Sequence, residues 1–183
     1  MFKPLAPLFH RFGTDTRGSV SVEFVIITPI LFWVFMATYV FFDGYRQGAQ
    51  NLKAAYAIAD MISRETEAIN DDYIDSMDAV LQLMTRADTP LKLMVTVVRW
   101  DEDDNRYYVD WSESRDYGTA RTNSTISDIA DKLPVMPDNE RVILVETEAT
   151  YEPAFDVGVG VRTLDNFVFT RPRFAPQVVW SDS

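Results

Sequence analysis

The chain has 183 residues, 47% of them hydrophobic and 25% charged, with no cysteine, a single histidine and a net charge of −11. That length fits one domain plus an appendage, and the composition is too apolar for a disordered chain. Disulfides, thiol catalysis and cysteine-ligated metals are excluded, and the acidity argues against a nucleic-acid partner, whose phosphates would be repelled. The one histidine, His10, lies in the leading segment, so the body also lacks the usual general base and metal ligand. Residues 1–18 carry Lys3, Arg11 and Arg17 against Asp15, a charge of +2, whereas the rest has 14 Lys and Arg against 27 Asp and Glu.

The basic head ends in Arg17-Gly18-Ser19-Val20-Ser21-Val22-Glu23-Phe24, and from Phe24 to Phe42 the chain reads FVIITPILFWVFMATYVFF without a charge. Such a run forms a helix about 28 Å long, close to the hydrocarbon thickness of a bilayer. Its Leu, Ile, Val and Phe side chains sum to an insertion free energy on the order of −5 kcal/mol, which outweighs Thr28 and Thr38. Pro29 is tolerated near the start of a membrane helix. The Lys/Arg bias predicts a cytoplasmic N-terminus and an acidic body outside, which in a Gram-negative cell means the periplasm. A cleaved secretory signal fits poorly, because the apolar run is long and no small-x-small site follows Phe42. Glu23 is the anomaly. A carboxylate entering a membrane helix is costly and marks a functional position. A free amine on Ser19, made by cleavage after Gly18, would compensate it in the same chain or a neighbour.

Beyond Phe42 the helix is expected to continue. Tyr45, Ala49, Leu52, Tyr56, Ala59 and Ile62 recur at steps of three and four, an apolar stripe expected to pack on the chain's own globular domain, with other subunits as the alternative. Gly44 and Gly48 form a small-xxx-small pair that permits close helix approach, simple flexibility being the other reading. Asn70 or Asp71 can cap a second helix bearing Ile74, Met77, Leu81 and Met84, broken by Thr89-Pro90. Leu91 to Val97 alternate as a strand, Asp101–Asn105 turns, and Tyr107, Val109 and Trp111 return, which gives a hairpin with an acidic tip. Ser124 can cap a short helix with Ile126, Ile129 and Leu133. Arg141–Glu152 is a further strand, with Ile143, Val145, Ala149 and Tyr151 on one face. Val157–Val161 reads as a loop or bulged edge, and Phe167–Thr170 and Gln177–Trp180 as final strands demoted to an edge by Pro172 and Pro176. The predicted class is α+β: a long N-terminal helix, then a small antiparallel sheet with packed helices.

Other motifs have plainer readings. Asp101-x-Asp103-x-Asn105 imitates a calcium loop, but Arg106 and Ser112 replace the required Gly and Glu, which leaves a solvated turn. Asp110-x-Ser112-x-Ser114 matches a metal motif of von Willebrand A domains, yet it lies in a short hairpin strand with too little chain after it. Asn123-Ser124-Thr125 is a formal sequon that reads as a helix cap. Glu146 and Glu148 read as a solvated strand face, and Arg171-Pro172-Arg173 as cations that meet either an acidic neighbour or the chain's own surplus acid.

The junction resembles a known signal. A basic leader, Gly18, four small or apolar residues, Glu23, an aromatic residue and an apolar helix is the class III signal of type IVb pilins and pseudopilins. The longer GSVSVEFVIITPILFWVFMATY is similar to the TadE-like group of the tight-adherence (Flp) pilus system, and the terminal RPRFAPQVVW adds weaker support. The likeness in motif covers residues 17–60. It implies a bitopic inner-membrane minor pseudopilin with a pilin-like fold, divided into a leader (1–18), a transmembrane helix (19–42) and a periplasmic domain (43–183). Gly18 and Ser19 flank the bond cut by a prepilin peptidase, and Glu23 and Phe24 serve assembly. The implied partners are membrane lipid, that peptidase, other pilins and pseudopilins and tight-adherence secretion proteins, with no cofactor and no enzymatic activity. The alternatives are a signal-anchored periplasmic ligand-binding or enzyme domain, and an uncleaved scaffold of the pilus machinery.

Overall fold

The computed structural model describes residues 19–85 and 91–182; the leader, Gly18, His10 and Thr89-Pro90 lie outside the described residues. Helix α1 runs Ser19–Ser63, 45 residues, with Pro29 inside it, a rod about 67 Å long. Its two halves have different surroundings. From Val20 to Phe42 every large apolar side chain is exposed except Met36 and Val40. The most apolar window has a mean hydropathy of 2.2 and only 6% of it is buried. A soluble core helix would hide such a surface, whereas this one is long and apolar enough to cross a membrane. The second half is amphipathic and carries the body, burying Ala54, Ala55, Ile58, Ala59 and Ile62.

Helix α2 spans Asp71–Thr85. Asn70 caps it, its Oδ1 accepting the Tyr73 N–H at 3.1 Å. Ile74, Met77 and Leu81 face inward as their spacing predicts, while Met84 is partly exposed. Four strands follow: β1 (Lys92–Asp101), β2 (Arg106–Arg115), β3 (Arg141–Tyr151) and β4 (Arg162–Thr170). They form one antiparallel sheet in the order β2-β1-β3-β4. The central strands β1 and β3 are buried on both faces, which is why their sequences are apolar beyond simple alternation. On one face Leu93, Val95, Val97, Ile143, Val145 and Val168 close over α1 and α2 in the main core. On the other, Val98 and Leu144 meet Ile126 and Ile129 of a 3₁₀ helix, Ile126–Lys132, and Leu133 just after it.

The structure therefore has a long apolar N-terminal helix, a small antiparallel sheet and packed helices, an α+β arrangement. Several local expectations are corrected. Of the predicted stripe, Ala59 and Ile62 are buried, but Tyr45 is 83% exposed, Tyr56 58% and Leu52 40%. The face that packs is an adjacent one, through Val40, Gly44, Asn51, Ala55 and Ile58, which meets the predicted stripe at Ile62; small Ala and Gly and a polar Asn hid it from a hydrophobicity count. Ser124 does not cap the short helix: Thr125 holds the N-cap position without a side-chain bond to it, and the Ser124 hydroxyl meets that of Thr122 at 2.8 Å. Asn123 instead serves the outer edge of the sheet, accepting the Val109 N–H at 2.7 Å, where a bulge leaves Asp110 unpaired between Val109 and Trp111.

The C-terminal segment is no strand. Trp180 makes a single bridge with Ile69, and the tail crosses the upper end of α1, with Arg173 N–H donating to the Ser63 carbonyl at 2.7 Å. The Val178 carbonyl accepts Trp111 Nε1–H at 2.8 Å, and the two indoles of Trp111 and Trp180 lie 5.4 Å apart. With only three backbone bonds, to Ile69 and Ser63, the proline-bearing segment is held by these side chains as well.

Candidate functional site

Glu23 sits in the second turn of α1, exposed, the fifth residue of the range Ser19–Ser63. None of the ion pairs among the described residues includes it. The positive end of the helix dipole favours a carboxylate there by about 0.3–1 kcal/mol, far less than a full counter-charge supplies in a lipid environment. Phe24 beside it is 69% exposed. The next charges along the helix come after the apolar run. Asp43 accepts from Arg46 at 2.9 Å and from the Gln47 amide at 3.0 Å, so the outer end of the run is closed by a satisfied pair. Within the run Thr38 returns its hydroxyl to the Val34 carbonyl at 2.8 Å, which satisfies that group within the helix. Glu23 is the one acid of α1 that has no ion pair among the described residues.

Above the run, α1 has two faces. Tyr45, Ala49, Leu52 and Tyr56 form an uncovered stripe continuous with Phe41 and Phe42. On the adjacent face the sheet is fastened at one point close to the apolar run. Tyr151, the last residue of β3, donates its hydroxyl to the Val40 carbonyl at 2.9 Å. A Cβ on Gly44 would stand 3.3 Å from the Tyr151 ring, so glycine gives the ring its seat. Gly48 has nothing within 4 Å, so the two glycines are not a matched pair. One turn further on, Asn51 is 2% exposed; it donates to the Leu164 carbonyl and accepts from the Thr147 hydroxyl, both at 3.3 Å. Asn166 donates to that same hydroxyl at 3.2 Å. Helix, β3 and β4 are thus tied by directional bonds that fix the rotation of the body about the rod.

Glu146 is not solvated. It is 4% exposed, and Arg121 grips it through two nitrogens, each at 2.6 Å. The carboxylate holds the guanidinium pKa above its ordinary value. The Arg121 N–H also reaches Ser112 Oγ at 3.0 Å, and Ser112 meets Thr96 at 2.8 Å. The pair fastens the loop after β2 across the sheet. Glu148, on the same face, pairs with Lys92. Tyr117 lies alongside, its phenol pushed up to about 12 by burial and then by the Glu146 and Asp165 carboxylates.

The remaining motifs have structural occupations. Asp101 folds the hairpin tip, accepting the Asp104 N–H at 3.1 Å, a bond that holds its carboxyl below the usual range. Asn105 closes that turn at φ 49°. In Asp110-x-Ser112-x-Ser114, Asp110 pairs with Arg141 at 2.7 Å, and Ser112 belongs to the Arg121 network. Among the described residues no group of three His, Cys, Asp or Glu side chains converges. Arg171 and Arg173 meet Glu140 at 2.9 Å and Asp60 at 3.1 Å, the chain's own acid. An open cleft of about 710 Å³ lies between α1, the end of α2 and the β3–β4 loop. Its deepest polar group, Asn51, is already bonded on both sides.

The apolar rod is legible in the sequence; the Tyr151 seat and the buried Glu146–Arg121 pair are not, and the Tyr45–Tyr56 stripe, expected to pack on the chain's own domain, is uncovered. A tyrosine ending a strand and a glycine in a helix carry no local sign that they meet across more than a hundred residues. No protein-family model, no curated protein and no solved structure matches the chain.

Proposed function

We propose that this protein is a minor pseudopilin of a tight-adherence (Flp, type IVb) pilus. It is cut after Gly18 by a prepilin peptidase and held in the inner membrane by α1, with its body in the periplasm, until it assembles. The observation that carries the reading is a single rod whose surface is uncovered on one side from the apolar run as far as Tyr56. That side is apolar through the bilayer-sized run, continues through Tyr45, Ala49, Leu52 and Tyr56, and has at its inner end an acid, Glu23, with no ion pair among the described residues. An anchor needs the first of these and not the others. A subunit that packs its helix among other helices needs all three: apolar area for the contact, and a carboxylate that selects a neighbour's new amine in a low-dielectric setting.

The body then acts as a rigid head, because Tyr151, Asn51 and Thr147 lock its orientation to the rod. The test is genetic complementation in the native cell. Glu23→Ala and Tyr56→Asp are expected to be inserted and folded, since both side chains are exposed, yet to leave the cell with few or no pili. Normal piliation by either variant would remove the proposed role of its site.

A further inference from the structure

The body overlaps the apolar run. Val40, two residues inside the outer end of the run, is 1% exposed because Tyr151 covers it. Tyr39, one residue deeper, stacks edge-on against Phe155 of the β3–β4 loop with ring centroids 5.9 Å apart. The Tyr39 Cα lies about 4–5 Å inside that of Phe42 along the axis. Side chains of an α-helix also tilt toward its N-terminus, which here is the membrane end. Phe155 therefore reaches down to the last turn of the apolar run.

The loop that carries it suits that depth. From Pro153 to Val161 it reads PAFDVGVGV, with Asp156 as its one charge, in a body otherwise rich in acid. Phe155 is 43% exposed and Val161 64%. Gly158, at φ 91°, turns the tip, and its N–H donates to Asp156 Oδ1 at 3.3 Å, which withdraws part of that charge into the loop. Arg162 follows, exposed, at the start of β4, placed where a cation meets phosphate headgroups.

We infer that the β3–β4 loop is a second membrane-contacting element, which dips Phe155, Val157, Val159 and Val161 into the headgroup–acyl boundary of the outer leaflet beside α1. The occupant of this apolar surface is lipid, and continuity with the apolar face of the rod is what identifies it. The inference rests on the membrane placement of α1 and not on cleavage or pilus assembly. Rod and loop together form a two-point contact, so the body cannot swivel on its helix as a singly tethered domain does.

The chain has no cysteine, so single-cysteine variants report cleanly. Val159→Cys, Phe35→Cys and Asn105→Cys, each carrying an environment-sensitive fluorophore, are reconstituted as full chains in phosphatidylcholine–phosphatidylglycerol vesicles. Half the samples contain lipid brominated near the top of the acyl chain. Emission at positions 159 and 35 is expected to fall at least twofold in brominated lipid, with position 105 unchanged and quenched by aqueous iodide instead. If 35 is quenched while 159 behaves as 105 does, the loop inference is wrong and the membrane helix stands. If 35 is also unquenched, the membrane placement fails and takes the inference with it. Blue-shifted emission at 159 that vanishes on dilution of protein in lipid would identify a second copy as the occupant and overturn the assignment to lipid.

Discussion

The joint between rod and body predicts a graded set of stabilities. Tyr151→Phe removes the hydroxyl bond to the Val40 carbonyl, 2.9 Å long. In a regular helix that carbonyl also accepts from the N–H four residues on, so no orphaned acceptor remains and the cost is about 0.5–1.5 kcal/mol. Tyr151→Ala removes the ring as well. Tyr151 is 4% exposed, and emptying that site costs about 3–5 kcal/mol by analogy with other aromatic truncations. The glycine beneath the ring is tested from the other side. Gly44→Leu drives a side chain into a ring already 3.3 Å from where its Cβ would be, an overpacking cost of about 1–3 kcal/mol. Gly48, with open space around it, gains about 1 kcal/mol of helix propensity on replacement by Ala. In a Tyr151→Ala background the Gly44→Leu penalty should vanish, because the two residues share one volume. Urea unfolding of the full chain in detergent micelles, followed by the emission of its tryptophans, three of which (Trp100, Trp111 and Trp180) lie in the body, measures all five. Equal responses of Gly44 and Gly48, or additive costs for Gly44→Leu and Tyr151→Ala, would refute the seat.

Other predictions concern the body. Arg121→Met leaves the Glu146 carboxylate buried without its partner and should cost about 3–5 kcal/mol, while Arg121→Met with Glu146→Leu recovers most of it; the same unfolding assay decides. The Tyr117 phenol, raised from 10.0 to about 12, keeps its proton in the folded state at pH values where the unfolded chain loses it. Its contribution to stability is complete below about pH 10 and is lost as the pH rises toward 12. Tyr117→Phe should therefore flatten the fall in stability over that window, and an unchanged slope would show that burial of this phenol is not what shifts it.

The sequence made the coarse architecture legible for physical reasons. A run of charge-free residues as long as a bilayer is thick has few other uses, and the spacing of Ile74, Met77 and Leu81 or of Ile143, Val145 and Ala149 can face a core in only one way. The failures share a cause. Hydrophobic periodicity shows which residues are apolar and not which face receives a partner. The inward face of α1 is built from Gly44, Asn51, Ala54 and Ala55, whose value lies in close approach and hydrogen bonding. Tyr45, Leu52 and Tyr56 outscored them on apolarity and lie outside. Glu146 was misread for the complementary reason. A carboxylate in a strand looks solvated until its counter-ion arrives from a loop 25 residues away in sequence. The Gln177–Trp180 segment has the composition of a strand, but its backbone partner, Ile69, is a single residue in the connection between α1 and α2.

The central claim is that Glu23 and the uncovered rod serve assembly after proteolysis at Gly18, and the most direct test is the N-terminal sequence of the protein purified from native membranes. The account predicts Ser-Val-Ser-Val-Glu, with the mass reduced by about 2 kDa from 21.0 kDa and the cut abolished by Gly18→Phe or by loss of the prepilin peptidase. A protein that begins Met-Phe-Lys in cells bearing normal pili would contradict it.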